Sequence, residues 1–330
     1  MNILVTGGAG YIGSHFVREL QRNSKYTPIV YDNLSTGHEE AVPANVQLIT
    51  GDIHDVRFLT HIFAQYEIDA VVHFAASSLV GESMTDPGKY YFNNVEGTLH
   101  LITAMKEAGV DHLVFSSTAA VYGEPAKTPI TENMPLEPTN VYGRTKKMIE
   151  AMLADFSKAY GMTYVALRYF NAAGAAEDGS IGEDHNPESH LIPLVLKTAQ
   201  GVRDKVPIFG TDYPTEDGTC VRDYVHVRDL ATAHVLALDY LLAGGESRAF
   251  NLGSEKGFSV REIIDTAKKV TEKDFTVVEE ERRAGDPAVL IASSEKIRKE
   301  LGWKPQHSST EEVIASAWKW HQKHPRGYQS

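Results

Sequence analysis

Asn2-Ile-Leu-Val-Thr-Gly7-Gly-Ala-Gly10-Tyr-Ile-Gly13 opens the chain after its initial methionine. The apolar start, Asn2–Thr6, reads as a strand, and Ile12–Arg22 carries a helical pattern. Gly7, Gly10 and Gly13 lie between them. Glycines there allow a tight turn, close approach of the backbone to a pyrophosphate and close packing of helix on strand. The N-terminus of the following helix then faces the phosphate charge. A plain glycine turn has the same spacing, but strand before and helix after favour a dinucleotide. Asp32 ends the next candidate strand, about 20 residues beyond the turn. A carboxylate there accepts hydrogen bonds from the adenosine ribose and repels a 2′-phosphate, so NAD is expected rather than NADP. Asp52-Ile53 follows the third strand and could reach the adenine, although Gly51-Asp52 is also an ordinary turn signal.

Working outward, short β-branched runs alternate with helical patterns. The strands are Asn2–Thr6, Ile29–Tyr31, Val46–Ile49, Ala70–Phe74, His112–Ser116 and Tyr164–Arg168. The helices are Ile12–Arg22, Val56–Tyr66, Val95–Ala108 and Tyr142–Tyr160. This is the pattern of βαβ units and an α/β fold with a parallel, doubly wound sheet. After Asn171 the texture changes. Ala172–Pro187 and Thr211–Thr219 read as loops. Leu191–Gln200, Asp229–Leu242 and Ser259–Lys268 read as helices, and Phe250–Leu252 and Phe275–Val278 as strands. Ser309-x-x-Glu312 is a capping box for a last helix. The expected layout is a nucleotide-binding domain over 1–170 and a smaller, mostly C-terminal α/β substrate domain over 171–330. Some segments of the second half are allowed to return to the first.

Bulk composition excludes several classes. The chain has 330 residues, 42% hydrophobic, with net charge −12. It shows no basic stripe of the kind a nucleic-acid surface needs. Cys220 is the single cysteine, so no internal disulfide and no cysteine metal site are expected. No signal peptide or run of 18 apolar residues stands out, so no membrane span is expected and the cytoplasm is the expected location.

Tyr142-Gly-Arg-Thr-Lys146 carries the chemistry. A tyrosine and a lysine four apart share one helix face. The ammonium should favour the phenolate and bring the tyrosine pKa below its usual value of about 10. With the hydroxyl cluster Ser116-Ser-Thr118 and a dinucleotide, that pair points to hydride chemistry on an alcohol. Each residue has a bland reading: a surface aromatic, a solvated charge, a strand-end hydroxyl. Together and in this order they favour the catalytic one.

On these residues the chain resembles the extended short-chain dehydrogenase/reductase family, and within it the nucleotide-sugar 4-epimerases. Further matching stretches are Tyr31-Asp-Asn-Leu34, His73-Phe-Ala75, Asn93-Asn-Val-Glu-Gly-Thr98, Leu167-Arg-Tyr-Phe-Asn171, Phe209–Thr219, Val221-Arg-Asp-Tyr224 and Arg283-Ala-Gly-Asp286. The resemblance implies a Rossmann-type fold, tightly held NAD, and interconversion of UDP-glucose and UDP-galactose through oxidation at C4. It implies Tyr142 as base, Lys146 on the nicotinamide ribose and Thr118 on the reacting hydroxyl. It places Gly7, Gly10, Tyr11, Ile12, Gly13, Asp32, Asn33, Asp52, Ile53, Phe74, Ala75, Asn93 and Phe170 around the cofactor. It places Ser78, Asn171, His190, Leu191, Phe209, Tyr213, Arg222, Arg283, Asp286 and Leu290 around the UDP-sugar. Arg222 and Arg283 would grip the diphosphate, since a guanidinium forks onto phosphate oxygens. Asp223 and Asp286 stand near them in sequence, so surface salt bridges are the alternative. Ser78 and His190 depart from a lysine and an asparagine found in some members. Leu290 falls at the family's pocket gate, where leucine is intermediate between tyrosine and small residues. A homodimer built on the helices Val95–Ala108 and Tyr142–Tyr160 is also implied.

Rival expectations are a UDP-glucuronate 4-epimerase, a nucleotide-sugar 4,6-dehydratase and a non-catalytic dinucleotide sensor. A dehydratase needs an acid–base pair after the strand hydroxyl, but Thr118 is followed by Ala119 and Ala120. A sensor has no need of Tyr142 and Lys146. No metal is expected, because hydride transfer needs none and the spaced pair His185 and His190 fits no closed site.

Overall fold

The structure is a computed structural model that describes residues 1–283 and 286–328. Ala284 and Gly285, the middle of the Arg283–Asp286 stretch, lie outside the described residues. Six strands of the first half form most of one sheet: β1 (Asn2–Thr6), β2 (Thr27–Asp32), β3 (Gln47–Thr50), β4 (Ile68–His73), β5 (His112–Ser116) and β6 (Thr163–Arg168). Their order across the sheet is β6-β5-β4-β1-β2-β3, and every pairing is parallel. The order therefore reverses at β1/β4, the switch point where such sheets bind ligands at the carboxyl ends of their strands. A seventh strand, Arg248–Asn251, joins parallel to β6 from the second half of the chain.

Both faces of the sheet are covered, which is why its strands are near-continuous apolar runs. On one face, α1 (Tyr11–Gln21) packs beside the helix Val227–Leu242, and Phe16, Leu20, Leu230 and Leu238 are fully buried with Val5 and Val72. On the other, α2 (Val56–Tyr66) and the helices Gly97–Ala108 and Val141–Tyr160 bury Leu59, Leu101 and Ile149 against Leu4 and Phe115. A separate core gathers Ile192, Val206, Ile208, Ile263 and Ile314 among the helices Leu191–Ala199, Val260–Thr271 and Thr310–Lys323. Two helices start on serine caps, the second of them the expected capping box. Ser259 accepts from the Glu262 amide at 3.0 Å, and Ser309 from the Glu312 amide at 3.2 Å.

Several elements of the second half differ from the sequence reading. Asn171–Ala173 pairs with Tyr224–His226, and Lys205–Phe209 with Thr276–Glu280. Two-residue strands, Val221–Arg222 and Val289–Leu290, also pair. Strands this short have no periodicity to read; long-range pairing alone creates them. The helix expected from Val95 begins as a π-helical turn, Tyr91–Glu96, before Gly97–Ala108. No helix among the described residues is long and apolar enough to cross a membrane.

Candidate active site

The glycine turn after β1 is built for close approach. Gly7 has φ +73°, and a Cβ there would lie 2.5 Å from the Ala75 amide nitrogen. A Cβ on Gly13 would lie 2.2 Å from the Gly7 carbonyl oxygen. β1, β4 and the start of α1 thereby pack backbone on backbone, and the turn between them presents bare backbone of the kind a pyrophosphate needs. Phe74 and Ala75 both donate backbone hydrogen bonds to the Thr6 carbonyl, which fixes the end of β4 beside the turn. Asp32 is 7% exposed; its Oδ2 accepts from the Ala9 amide at 2.9 Å and its Oδ1 from the Leu34 amide at 2.9 Å. Burial raises its pKa, and those amides oppose the rise. Asn33 donates to Asp52 Oδ2 at 2.8 Å, so these two expected adenosine residues meet across the ends of β2 and β3. Ile53 is buried beside Gly97, and Tyr11 donates from its hydroxyl to the Gly174 carbonyl at 2.6 Å. Ile12 packs at the edge of the sheet core. The residues present suit a dinucleotide: a bare-backbone cradle and a buried carboxylate lie together at the switch point.

Tyr142, Lys146 and Thr118 converge at the carboxyl end of β5. Thr118 caps the single turn Ala119–Tyr122, its Oγ1 accepting from the Ala120 amide at 3.1 Å. Asn140 caps the helix Val141–Tyr160, and Gly143 lets that helix approach, since a Cβ there would meet the Ala120 carbonyl oxygen at 2.6 Å. Tyr142 sits in the first turn with its amide bound to Ser83 Oγ at 3.1 Å. Lys146, 3% exposed, follows one turn later and donates to the Ser116 carbonyl at 2.8 Å.

The phenol is not lowered by these neighbours as the sequence reading expects. Burial pushes the Tyr142 pKa up to about 12, and the Thr118 hydroxyl opposes the rise. Lys146 spends a hydrogen bond on Ser116, stands 5.9 Å from the centre of the Tyr142 ring, and is itself pulled down to about 7 by burial. Desolvation acts on both groups and opposes both charged forms.

Supporting residues surround this centre, and the sequence reading missed Asn94 and Glu150 among them. Asn94 donates to Thr145 Oγ1 at 3.2 Å and to the Ser77 carbonyl at 3.0 Å. Asn93 donates to Ser77 Oγ at 3.2 Å, whereas Ser78 beside it is exposed. Glu150, one turn beyond Lys146, is buried in an ion pair with Arg168 and accepts from Ser117 Oγ at 2.5 Å. Glu150 is a lone buried carboxylate on the inward face of its helix, and that position was the available signal.

The expected UDP-sugar residues gather around the short strands. Leu290 is in register with Arg222 and, with Phe170, packs on Ala119, Val121 and Tyr122. Leu290, the expected gate, therefore lies between the Thr118 turn and Arg222, an expected diphosphate ligand. Arg222 pairs with Asp286 at 3.3 Å, not with its sequence neighbour Asp223, and donates to the Pro287 carbonyl at 2.8 Å. Asp223 instead accepts from the Ser254 and Ala292 amides, and burial pushes it up to about 6. Arg283 lies 3.9 Å over the Phe209 ring, which joins two expected substrate residues. Asn171 donates to the Asp223 carbonyl at 2.9 Å. Tyr213 is buried, and its hydroxyl has no hydrogen-bond partner among the described residues. His190 precedes Leu191, the first residue of the helix Leu191–Ala199. The sequence reading set His185 and His190 aside. In the structure their rings are 5.4 Å apart, and Glu183 and Glu188 join them.

With this geometry in place, comparison with known proteins decides the family. The model of the NAD dependent epimerase/dehydratase family matches residues 3–253. The chain belongs to that family. Among the family's members, UDP-glucose 4-epimerase of Lacticaseibacillus casei is 53% identical over 328 residues, covering 99% of each chain. A crystal structure of a UDP-glucose 4-epimerase superposes with a TM-score of 0.98 at 52% identity, over the full length of both chains. The UDP-glucose 4-epimerase of Brucella ovis in complex with NAD superposes with a TM-score of 0.94 at 48% identity, covering 96% of this chain and 97% of that one.

Proposed function

We propose that the protein interconverts UDP-glucose and UDP-galactose with tightly held NAD. The observation that carries this reading is the meeting of Tyr142, Thr118 and Lys146 at the carboxyl end of β5, on the same sheet as the glycine cradle. Near-full-length relatives that are UDP-glucose 4-epimerases support it. NAD bound there supplies the hydride acceptor and donor for C4 and a positive charge beside the phenol. Thr118 orients the C4 hydroxyl, and Tyr142 takes its proton as the C4 hydride leaves. The 4-keto sugar turns, the hydride returns to its other face, and Tyr142 gives the proton back. Lys146 holds the ribose and adds positive charge. Ala119 and Ala120 offer no acid or base for eliminating water, which favours epimerisation over dehydration.

In this reading Arg222 and Arg283 hold the diphosphate, so that the sugar turns while the nucleotide stays fixed. The dinucleotide is held by 1–170 with the helix Val227–Leu242 and the strand Arg248–Asn251; the remaining C-terminal part takes the UDP-sugar. A homodimer is supported by Leu99 and Met148, 39% and 45% exposed on the two helices expected to pair. One buried cysteine fits the cytoplasm.

The deciding assay offers UDP-glucose, UDP-galactose and UDP-glucuronate to purified protein without added NAD. Interconversion of the first pair is expected, with Tyr142→Phe lowering kcat roughly 10²–10⁴-fold while NAD stays bound. Folded protein that stays inactive even with added NAD refutes the reading.

A further inference from the structure

Outside this centre, four potential metal ligands meet in the segment that leads into the helix Leu191–Ala199. Glu183, His185, Glu188 and His190 place one donor atom each within 4.8 Å of all the others. His190 Nδ1 is 2.6 Å from Glu183 Oε1 and 3.4 Å from Glu188 Oε1. His185 Nδ1 is 3.1 Å from Glu183 Oε1 and 4.0 Å from Glu188 Oε2. Donor atoms around a tetrahedral Zn²⁺ at bond lengths of about 2.0–2.2 Å stand roughly 3.4 Å apart. The cluster is already near that size.

Two independent features point to a cation rather than to a network of hydrogen bonds. The Glu188 side chain is 5% exposed, yet its Oε2 has no hydrogen-bond partner among the described residues. His190 Nδ1 lies 2.6 Å from Glu183 Oε1 but makes no well-aligned hydrogen bond among the described residues. Glu183, 7% exposed on its side chain, adds a second buried carboxylate beside Glu188. Two buried carboxylates repel unless a positive charge lies between them.

The frame is also fixed in advance. The Trp320 indole donates to the Glu183 carbonyl at 3.1 Å, and Glu188 Oε1 accepts from the Ser189 and His190 amides at 2.7 and 2.8 Å. Those contacts leave Glu188 Oε2 free and facing the histidines.

We propose that Glu183, His185, Glu188 and His190 form a site for one divalent transition-metal ion, with a donor set suited to Zn²⁺. Two imidazole nitrogens and two carboxylate oxygens favour Zn²⁺ over Mg²⁺, which demands oxygen ligands. Two carboxylates with two neutral imidazoles balance the ion's charge. The site is structural: all four protein ligands close it and leave no position for a reacting water. It pins the 183–190 segment and sets the start of the helix at Leu191.

The test uses tag-free, full-length protein with its own NAD, stripped of metal by a chelator and then titrated with ZnCl₂ or MgCl₂. Binding is followed by calorimetry and elemental analysis, and folding by circular dichroism and NAD content. The expected result is one Zn²⁺ per chain, a Tm that rises with Zn²⁺, and no response to Mg²⁺. Glu188→Gln and His185→Ala should each weaken Zn²⁺ binding by at least the roughly 10–100-fold typical of losing a group that supports a metal site. Two outcomes overturn the proposal. One is wild-type protein that takes up no stoichiometric Zn²⁺. The other is variants that stay folded and bind Zn²⁺ as tightly as wild type.

Discussion

Replacing Lys146 by methionine tests how a phenol held near 12 becomes a base at neutral pH. The substitution keeps the length of the stem and removes the charge. Lys146 Nζ stands 5.9 Å from the centre of the Tyr142 ring. At an effective dielectric constant of about 20, unit charges at that distance interact by about 3 kcal/mol, or about two pKa units. Losing the charge raises the Tyr142 pKa, and below its pKa a base loses tenfold in ionised fraction per unit. The expected result is a kcat near pH 7 lowered by up to about 100-fold. The gap to wild type should narrow as pH rises, for two reasons: the phenol ionises in both proteins, and Lys146, held near 7 by burial, loses its charge in the wild type. The assay is kcat against pH for UDP-galactose conversion, with bound NAD measured on the same samples. The variant also strips the Ser116 carbonyl of its donor, which should cost about 1–3 kcal/mol of stability and appear as a lower Tm. A kcat that falls equally at every pH, with full NAD occupancy, refutes the electrostatic role.

Arg283→Ala should raise the KM for UDP-sugars far more than it changes NAD content; loss of NAD with an unchanged KM would move this arginine to the cofactor site. At Leu290, serine should raise and tyrosine should suppress the use of UDP-N-acetylglucosamine relative to UDP-glucose. One apolar contact gives about 1–3 kcal/mol of discrimination, so the ratio of kcat/KM values should move by roughly 10–200-fold; an unchanged ratio removes Leu290 as the gate. Acid should destabilise the protein as the pH falls below 6.5. Burial lowers His73 and His226 to about 3, and His15 and His234 to about 4. The unfolded chain therefore binds more protons between those values and 6.5, and stability present above 6.5 is lost on the way down. At pH 5 each such imidazole costs about 2 kcal/mol. A Tm that stays flat from pH 7 to pH 5 would contradict this burial.

Local patterns in the chain were enough for several elements. β1 and β5 have the bounds that their β-branched runs predict, and α2 the bounds of its helical pattern. The glycine spacing marked the turn because close approach forbids a Cβ there, whatever the rest of the chain does. The four-residue spacing of Tyr142 and Lys146 needed only a helix. The tertiary structure alone decided the rest, because those features depend on residues far apart in the chain or on exclusion of water. Arg222 chose Asp286, 64 positions away, over adjacent Asp223, because Asp223 turns inward to bind the Ser254 and Ala292 amides. Arg248–Asn251 returns to the first sheet through pairing with β6, which no local signal encodes. The sign of the Tyr142 shift followed from burial, which sequence spacing does not report and which here outweighs the Thr118 hydrogen bond. Glu183 and Glu188 stand beside His185 and His190 in the sequence, yet only the folded segment brings one donor atom of each within 4.8 Å of all the others, because the turn that does so carries no periodicity to read.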